Sequence, residues 1–238
     1  MKSARPVVLD ACVLIPMPLA DTLLRLAAGP SLFLPKWSDQ IMEEVTRTLQ
    51  ENFGLSAQKA MYRESEIRRH FPEAWIDGYE DLISAMTNHP KDRHVLAAAA
   101  RAGAKIIVTY NIKDFPRSSL TPYSITAQGP SAFLKDLYVA APALMRQALE
   151  DQAAAIGKSM PYLLSRLQIN VPAFVEMIRQ ELSMMVKQRS VSSPEDYPDS
   201  VWAVPFALHT QSGSTHRSAN WLEARSADFE FPENAVNL

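Results

Sequence analysis

The chain of 238 residues has little of several features that would assign a protein to a class at once. It contains one cysteine, Cys12, which excludes an internal disulfide and fits a reducing cytoplasm. It contains no run of about 18 apolar residues, so we expect no membrane span. Its formal net charge is only −2, from 24 basic and 26 acidic residues. No overall basic field would therefore draw the chain to nucleic acid, and any such affinity must come from a local patch or from metal ions.

The amino-terminal segment also lacks the features of a signal peptide. The stretch from Val7 to Ile15 is apolar, but Asp10 interrupts it, and no cleavage site of small residues follows cleanly. We therefore expect no targeting segment and a cytoplasmic location.

Short apolar runs alternate with helical patterns over the first 139 residues. The runs predict strands at Val7–Leu9, Leu32–Leu34, Lys105–Thr109 and Tyr123–Ala127, with Pro35 ending the second. The helical patterns lie at Asp21–Ala28, Ser38–Gln50, Ser56–His70, Asp92–Gly103 and Ser131–Tyr138, the last capped by Ser131. Strands separated by helices need right-handed crossovers. The sequence therefore predicts a three-layer α/β/α fold around a central parallel sheet.

The pattern changes twice after this region. Residues 140–189 are purely helical in pattern, with Pro161 and Pro172 near helix starts. From Ser190 onward Ser, Pro, Asp and Asn dominate, which is typical of a segment of low order. We therefore predict three units: an α/β domain at 1–139, a helical extension at 140–189 and a poorly ordered tail at 190–238.

Three aspartates are predicted to meet at one edge of this sheet. Asp10 directly follows the first strand, and Asp114 follows the strand Lys105–Thr109 by one short loop. Asp92 is the first residue of the helix that leads into that same strand. Because this helix runs antiparallel to the strand, Asp92 also lies at the carboxyl ends of the strands. Parallel sheets bind ligands at this edge.

A fourth acid, Glu44, reaches the same region by a helical-wheel argument. The helix Ser38–Gln50 has an apolar stripe at Ile41, Met42, Val45 and Leu49. At about 100° per residue, Glu44 lies at the border of that stripe. Its neighbour Glu43 lies nearly opposite, towards solvent. Glu44 can therefore reach a cleft beside the core.

Four converging carboxylates repel one another unless a cation lies between them. Mg²⁺ or Mn²⁺ would relieve this repulsion, because hard divalent ions prefer oxygen ligands and also bind substrate phosphate. Such ions can promote the hydrolysis of a phosphodiester without a Ser, Cys or His nucleophile, and we find none arranged as one. The number of ions stays open. Asp10, Glu44, Asp92 and Asp114 are therefore candidate metal ligands and catalytic residues of a nuclease.

Taken singly, three of these acids have simpler explanations. Asp92 is a good helix N-cap, Asp114 a good turn residue, and Glu44 an ordinary solvated helix residue. Asp10 differs, because a lone carboxylate at the end of an apolar strand is more often functional. The joint placement of the four acids carries the prediction.

The same segments resemble the successive motifs of the PIN-domain nucleases, which include the toxins of VapBC-type toxin–antitoxin pairs. The resemblance lies in residues 8–14, 37–45, 91–99 and 107–116, within a match that spans about residues 6–139. It assigns the four acids as the metal and catalytic site, and Thr109 and Asn111 as their hydroxyl and amide helpers. It also implies RNA as substrate, Mg²⁺ or Mn²⁺ as cofactor, an antitoxin protein as partner and a possible homodimer.

Several other residues carry weaker hypotheses. Arg93 and His94 flank Asp92 and either touch substrate phosphate or face solvent. The basic residues of the helix Gln58–His70 form a candidate RNA-binding surface: Lys59, Arg63, Arg68, Arg69 and His70. Cys12 is expected to pack behind the first strand. The tail segment Trp221–Phe231 could cover the groove as a brake and place Arg225 near the acids.

Three other functions remain open at this stage. A haloacid-dehalogenase-like phosphatase also uses an aspartate at a strand end, but it needs a second aspartate where this chain has Cys12. A PIN-like module could bind RNA or a partner without cutting, although all four acids are present. An RNA-processing nuclease that is not a toxin would have the same site.

Overall fold

The computed structural model describes residues 4–191, and its centre is a parallel sheet of four short strands. These are β1 (Pro6–Leu9), β2 (Leu34–Lys36), β3 (Ile106–Val108) and β4 (Thr126–Gln128). They lie in the order β2-β1-β3-β4, and every neighbouring pair is parallel. The two strands that precede Asp10 and Asp114 are therefore the central ones. After the first residue of each strand, their apolar side chains are almost fully buried, as expected for a sheet covered on both faces.

Helices flank this sheet, which confirms the predicted α/β/α fold. The α-helices are α1 (Ala11–Leu14), α2 (Met17–Ala28), α3 (Asp39–Glu51), α4 (Ala57–His70), α5 (Arg93–Arg101), α6 (Arg117–Leu120), α7 (Pro130–Ala140), α8 (Pro142–Ala155), α9 (Met160–Leu167) and α10 (Pro172–Val191). Short 3-10 turns lie at Pro72–Ala74, Glu80–Ala85, Pro90–Asp92, Ile112–Asp114 and Thr121–Tyr123.

Side-chain caps fix the starts of the two helices that follow β2. The Ser38 hydroxyl accepts a hydrogen bond from the Ile41 N–H at 3.3 Å, and Ser56 does the same for Lys59 at 3.3 Å. Both helices begin where the sequence predicts, because a serine at this position satisfies a backbone donor that the helix leaves unpaired. Gly103 ends the turn after α5 with a φ of 62°, a conformation that glycine adopts without strain.

Four predicted elements have wrong boundaries. The last strand is Thr126–Gln128 instead of Tyr123–Ala127, because Tyr123 belongs to a 3-10 turn. The second strand is Leu34–Lys36, so Pro35 lies within it instead of ending it. This is possible because β2 is an edge strand, where the missing proline N–H costs no ladder bond. Helix α7 begins at Pro130 after Gly129, and Ser131 does not cap it. Proline suits a first helical position, where the N–H has no partner. Helix α2 begins at Met17, four residues before the predicted Asp21.

The helices that follow α7 share an apolar core with the sheet and its helices. Buried residues of α8 and α10, such as Leu149 and Phe174, belong to the same cluster as the strands. A polar link joins α8 to α2: the Thr22 hydroxyl donates to Gln152 Oε1 at 2.7 Å, and Gln152 Nε2 donates to the Pro18 carbonyl at 2.9 Å. The boundary between the units 1–139 and 140–189 stays a prediction.

Most of the predicted tail, residues 192–238, lies outside the described residues, and so does the brake hypothesis for Trp221–Phe231 and Arg225. Within residues 4–191, no helix combines the length and the apolar character that crossing a bilayer requires.

The shared core predicts different effects for two leucines of α8. Leu149 has no exposed surface, whereas Leu144 is 46% exposed. We expect Leu149→Ala to lower the free energy of unfolding by about 2–5 kcal/mol, because it leaves a cavity. Leu144→Ala should change it by only about 0.5 kcal/mol. Urea denaturation of both variants measures the difference, and equal small effects would show that α8 does not share the core.

Candidate metal centre

Asp10 and Thr109 lie at the carboxyl edge of the two central strands. The Asp10 N–H donates to the Val108 carbonyl at 3.1 Å, and the Thr109 N–H donates to the Gln128 carbonyl at 3.0 Å. The hydrogen-bond ladder thus continues one residue beyond β1 and β3 and fixes the backbone of both residues. This is the edge at which parallel sheets present their ligand-binding residues.

Hydrogen bonds hold both carboxylate oxygens of Asp10. Its Oδ1 accepts from the Ala11 N–H at 2.7 Å, and its Oδ2 accepts from the Thr109 hydroxyl at 2.6 Å. The Asn111 N–H in turn donates to Thr109 Oγ1 at 2.9 Å. Thr109 is therefore in direct contact with Asp10, while Asn111 reaches it through Thr109. The contact that Asn111 makes here uses its backbone, and a role for its side-chain amide stays a prediction.

Cys12 is partly buried against the apolar core, as expected for a packing residue, and its thiol also lies at this site. Its Sγ donates to Asp10 Oδ2 at 3.2 Å and lies 3.4 Å from Thr109 Oγ1. The short helix α1 turns the chain directly after Asp10 and returns Cys12 to the same carboxylate. Burial, and then the charge of Asp10, raise the pKa of the thiol well above its ordinary value, so it stays protonated and can donate.

Asp92 and Asp114 each keep one buried oxygen without a hydrogen bond. The two residues are 6% and 8% exposed, and the unpartnered atoms are Asp92 Oδ2 and Asp114 Oδ2. Asp92 occupies the N-cap position of α5, but its side chain makes no capping bond. The simple explanation of Asp92 as a cap is therefore wrong. A buried carboxylate oxygen without a partner is costly, so Asp92 Oδ2 requires a cation or a donor, whereas Asp114 Oδ2 already lies 3.4 Å from the Lys91 ammonium.

His89 and Lys91 belong to this cluster, and sequence reasoning missed both. His89 Nδ1 lies 4.0 Å from Asp92 Oδ2, and Lys91 Nζ lies 3.4 Å from Asp114 Oδ2. One ligand atom each from His89, Asp92 and Asp114 can be chosen so that all three lie within 4.8 Å of one another. The feature of the sequence that could have pointed to them is the presence of a histidine and a lysine in the turn that leads into Asp92.

Glu44 faces the cluster from α3, next to His94. Glu44 is half-buried and Glu43 is exposed, as the helical wheel predicts. Glu44 Oε1 lies 3.4 Å from His94 Nε2, and His94 is almost fully buried. The predicted solvent exposure of His94 is therefore wrong, and its contact with substrate phosphate stays a prediction. Arg93 donates to the Asn88 carbonyl at 3.4 Å.

The pKa values reflect electrostatic repulsion among the four acids. Burial raises the pKa of Glu44 to about 7, with further contributions from the charges of Asp10 and Asp92. Burial likewise raises the pKa of Asp92 to about 6, and the charges of Asp10 and Asp114 add to it. Carboxylates that lie far apart along the chain are thus close enough in space to disfavour each other's ionisation. Joint binding of one ion by all four stays a prediction.

Several basic side chains of helix α4 are less available for binding RNA than the sequence suggests, because they contact other groups of the protein. Arg63 is directed inwards and donates to the carbonyls of Leu14 and Ile15 at the end of α1. Arg68 pairs with Asp39 at 2.7 Å and stacks 3.5 Å from the centre of the Trp75 ring. Arg69 pairs with Glu66 at 2.6 Å. The candidate RNA-binding surface stays a prediction, but Arg63 has a structural role.

Fold and site together define a class: a parallel α/β protein with an acidic site at the carboxyl edge of its sheet. Over 63 residues, 26% of its length, the chain is 59% identical to the Mycobacterium tuberculosis protein named "Putative ribonuclease VapC50". This segment covers 37% of that relative, so the match spans little more than a third of its length. The resemblance to VapC-like PIN nucleases is confirmed over this part. No family model and no solved structure matches the chain.

The raised pKa values predict how the stability of the metal-free protein depends on pH. The folded-state pKa of Glu44, about 7, and that of Asp92, about 6, both lie above the ordinary values. Between about pH 4 and 7 the folded state then binds more protons than the unfolded state, so this contribution to stability is lost as the pH rises. We expect the melting temperature in EDTA to be higher at pH 5.5 than at pH 8, by at least about 2–4 °C.

Asp10→Asn serves as the control for this measurement, because it removes one of the charges that raise both pKa values. The difference between the two pH values should then shrink. A melting temperature that rises from pH 5.5 to pH 8 in the unsubstituted chain would contradict the assignment.

Proposed function

We propose that the chain is a divalent-metal-dependent endoribonuclease, and that it is the toxin of a VapBC-type toxin–antitoxin pair. The observation that carries this proposal is the cluster of Asp10, Glu44, Asp92 and Asp114, in which buried oxygens of Asp92 and Asp114 make no hydrogen bond. The name of the Mycobacterium tuberculosis relative supports ribonuclease activity. The motifs within residues 8–116 support the PIN assignment.

The donor set fits a hard divalent ion. Asp10, Glu44, Asp92 and Asp114 offer carboxylate oxygens, which Mg²⁺ and Mn²⁺ prefer. An ion would also reduce the repulsion that, after burial, contributes to the raised pKa values of Glu44 and Asp92. Lys91 already places one positive charge next to Asp114, which indicates that this edge attracts cations. These four acids would therefore hold the ion.

The residues of the chain orient the site, and the ion supplies Lewis-acid chemistry for a phosphodiester and its attacking water. Thr109 and Cys12 donate to the same oxygen of Asp10 and restrict its rotation. The Asn111 N–H directs the lone pairs of Thr109, so that the hydroxyl proton points to Asp10. Lys91 lies where its ammonium group can contact a substrate phosphate.

The remaining parts of the proposal follow from the resemblance. RNA is the substrate, an antitoxin encoded by a neighbouring gene is the partner, and the chain acts in the cytoplasm, with a homodimer as the expected assembly. A processing nuclease would share the site and lack the antitoxin. A non-catalytic module would share the fold and lack cleavage.

Two neighbouring glutamates give a matched test of the site. Glu44→Gln removes a proposed ligand, whereas Glu43→Gln makes the same change at the exposed neighbour. We expect Glu44→Gln to lower RNA cleavage with Mg²⁺ or Mn²⁺ by at least about 100-fold, the equivalent of about 3 kcal/mol. Glu43→Gln should stay within about twofold of the unsubstituted chain. Gel assays of single-stranded and structured RNA measure both.

Metal binding is measured in parallel by calorimetry with Mn²⁺. Asp10→Asn should lose Mn²⁺ affinity and cleavage together, and EDTA should abolish cleavage. Activity should also fall as the pH drops, because protons compete with the metal for the carboxylates. Ca²⁺ should bind without supporting efficient turnover. Cleavage that survives in Asp10→Asn or in EDTA would overturn the proposed site.

The toxin role has its own test in cells. Induced expression of the full chain in a bacterial host should arrest growth, and Asp10→Asn should not, because only the active site differs. Co-expression with the product of the adjacent short gene should restore growth. Arrest that the neighbouring product does not relieve would favour the processing nuclease. Equal arrest by both forms would exclude RNA cleavage as the cause.

A further inference from the structure

His89 is placed by the backbone next to two of the proposed metal ligands. Its N–H donates to the carbonyl of Asp114 at 3.0 Å, and its own carbonyl accepts from the Asp92 N–H at 2.9 Å. The single 3-10 turn Pro90–Asp92 fixes the two intervening residues. The positions of His89, Asp92 and Asp114 relative to one another are thus set before any ligand binds.

The Asn88 side chain stiffens this turn further. Its amide donates to the carbonyl of Asp92 at 3.0 Å, and the residue is almost fully buried. A site that is held in this way needs little rearrangement to bind an ion, which favours affinity.

The side chains complete a mixed set of nitrogen and oxygen donors. His89 Nδ1 lies 4.0 Å from Asp92 Oδ2, too far for a hydrogen bond, so neither atom satisfies the other. The separation is within what two ligands of one ion can have, since opposite ligands at about 2.1 Å from an ion are about 4.2 Å apart. One ligand atom can be chosen from each of His89, Asp92 and Asp114 so that the three atoms lie within 4.8 Å of one another.

Two independent observations point to a cation at this place. The first is that Asp92 Oδ2 and Asp114 Oδ2 are buried without hydrogen bonds, in residues more than nine-tenths buried. The second is that the Lys91 ammonium lies 3.4 Å from Asp114 Oδ2, so that positive charge already lies against this edge. The carboxylates therefore attract positive charge, and Asp92 Oδ2 keeps its coordinating capacity unused.

We propose that His89 supplies a nitrogen ligand to a divalent ion shared with Asp92 and Asp114, and that it shifts the preference of the site from Mg²⁺ towards Mn²⁺. Mg²⁺ binds oxygen donors and releases its waters reluctantly, whereas imidazole suits transition metals. A nitrogen donor thus adds more to the affinity for Mn²⁺ than to that for Mg²⁺. The inference rests on the proposed function and specifies the metal that the nuclease uses.

The test uses the full chain with Mn²⁺ alone as the probe. Pulsed electron paramagnetic resonance of the bound Mn²⁺ should show coupling to a ¹⁴N nucleus, and His89→Gln should remove it. Calorimetry should show about a tenfold loss of Mn²⁺ affinity in His89→Gln and about a threefold loss or less for Mg²⁺. His70→Gln makes the same change at the end of α4 and should alter neither result.

His89 is half-exposed, so His89→Gln should fold normally, and His89→Asn repeats the test with a shorter side chain. A nitrogen coupling that persists in both variants assigns the nitrogen to another residue and overturns the inference. So does Mn²⁺ bound without nitrogen coupling, or an unchanged ratio of Mn²⁺ to Mg²⁺ affinity. If the unsubstituted chain cleaves RNA in such a case, the proposed function stands. If the unsubstituted chain binds no divalent ion, both the proposed function and the role of His89 are overturned.

Discussion

The proposed site depends on the accumulation of like charge at one edge of a buried sheet. Asp10, Asp92 and Asp114 are all buried, and Glu44 approaches them from α3. Such an arrangement opposes folding, since each carboxylate loses water and faces others of the same sign. The raised pKa values of Glu44 and Asp92 express this cost. The local backbone and the bonds to Asp10 hold the acids in place against it.

The parallel topology explains how residues so distant in sequence meet. In a parallel sheet every strand ends at the same edge, so β1 delivers Asp10 and β3 delivers Thr109 side by side. The crossover helix α5 begins at that edge and therefore carries Asp92 there, together with the turn that bears His89 and Lys91. The bond from the His89 N–H to the Asp114 carbonyl then joins the loops before α5 and after β3. The site is thus a product of strand order and of a few main-chain contacts.

The sequence predicted those features that follow from repeating patterns. Apolar runs located β1 and β3, serines located the starts of α3 and α4, and the helical wheel separated Glu44 from Glu43. It could not predict features that depend on tertiary contacts. Pro35 lies inside a strand because that strand is at the edge, and Cys12 reaches Asp10 because it lies in the first turn of α1, which begins directly after that aspartate. His94 looked like a surface residue beside Asp92, yet α5 turns it inward against Glu44. His89 went unnoticed because nothing in its spacing marks it as a ligand.

The link between Thr22 and Gln152 has a practical consequence for handling the protein. Helix α2 is buried along most of its length, and part of that burial comes from α8, which follows the α/β region in the chain. A version cut after residue 139 would expose leucines of α2 to water and would leave the Pro18 carbonyl without its Gln152 donor. Exposed apolar surface of this kind promotes aggregation. Solubility of the shortened chain would therefore fall even though every acid of the proposed site remains in it.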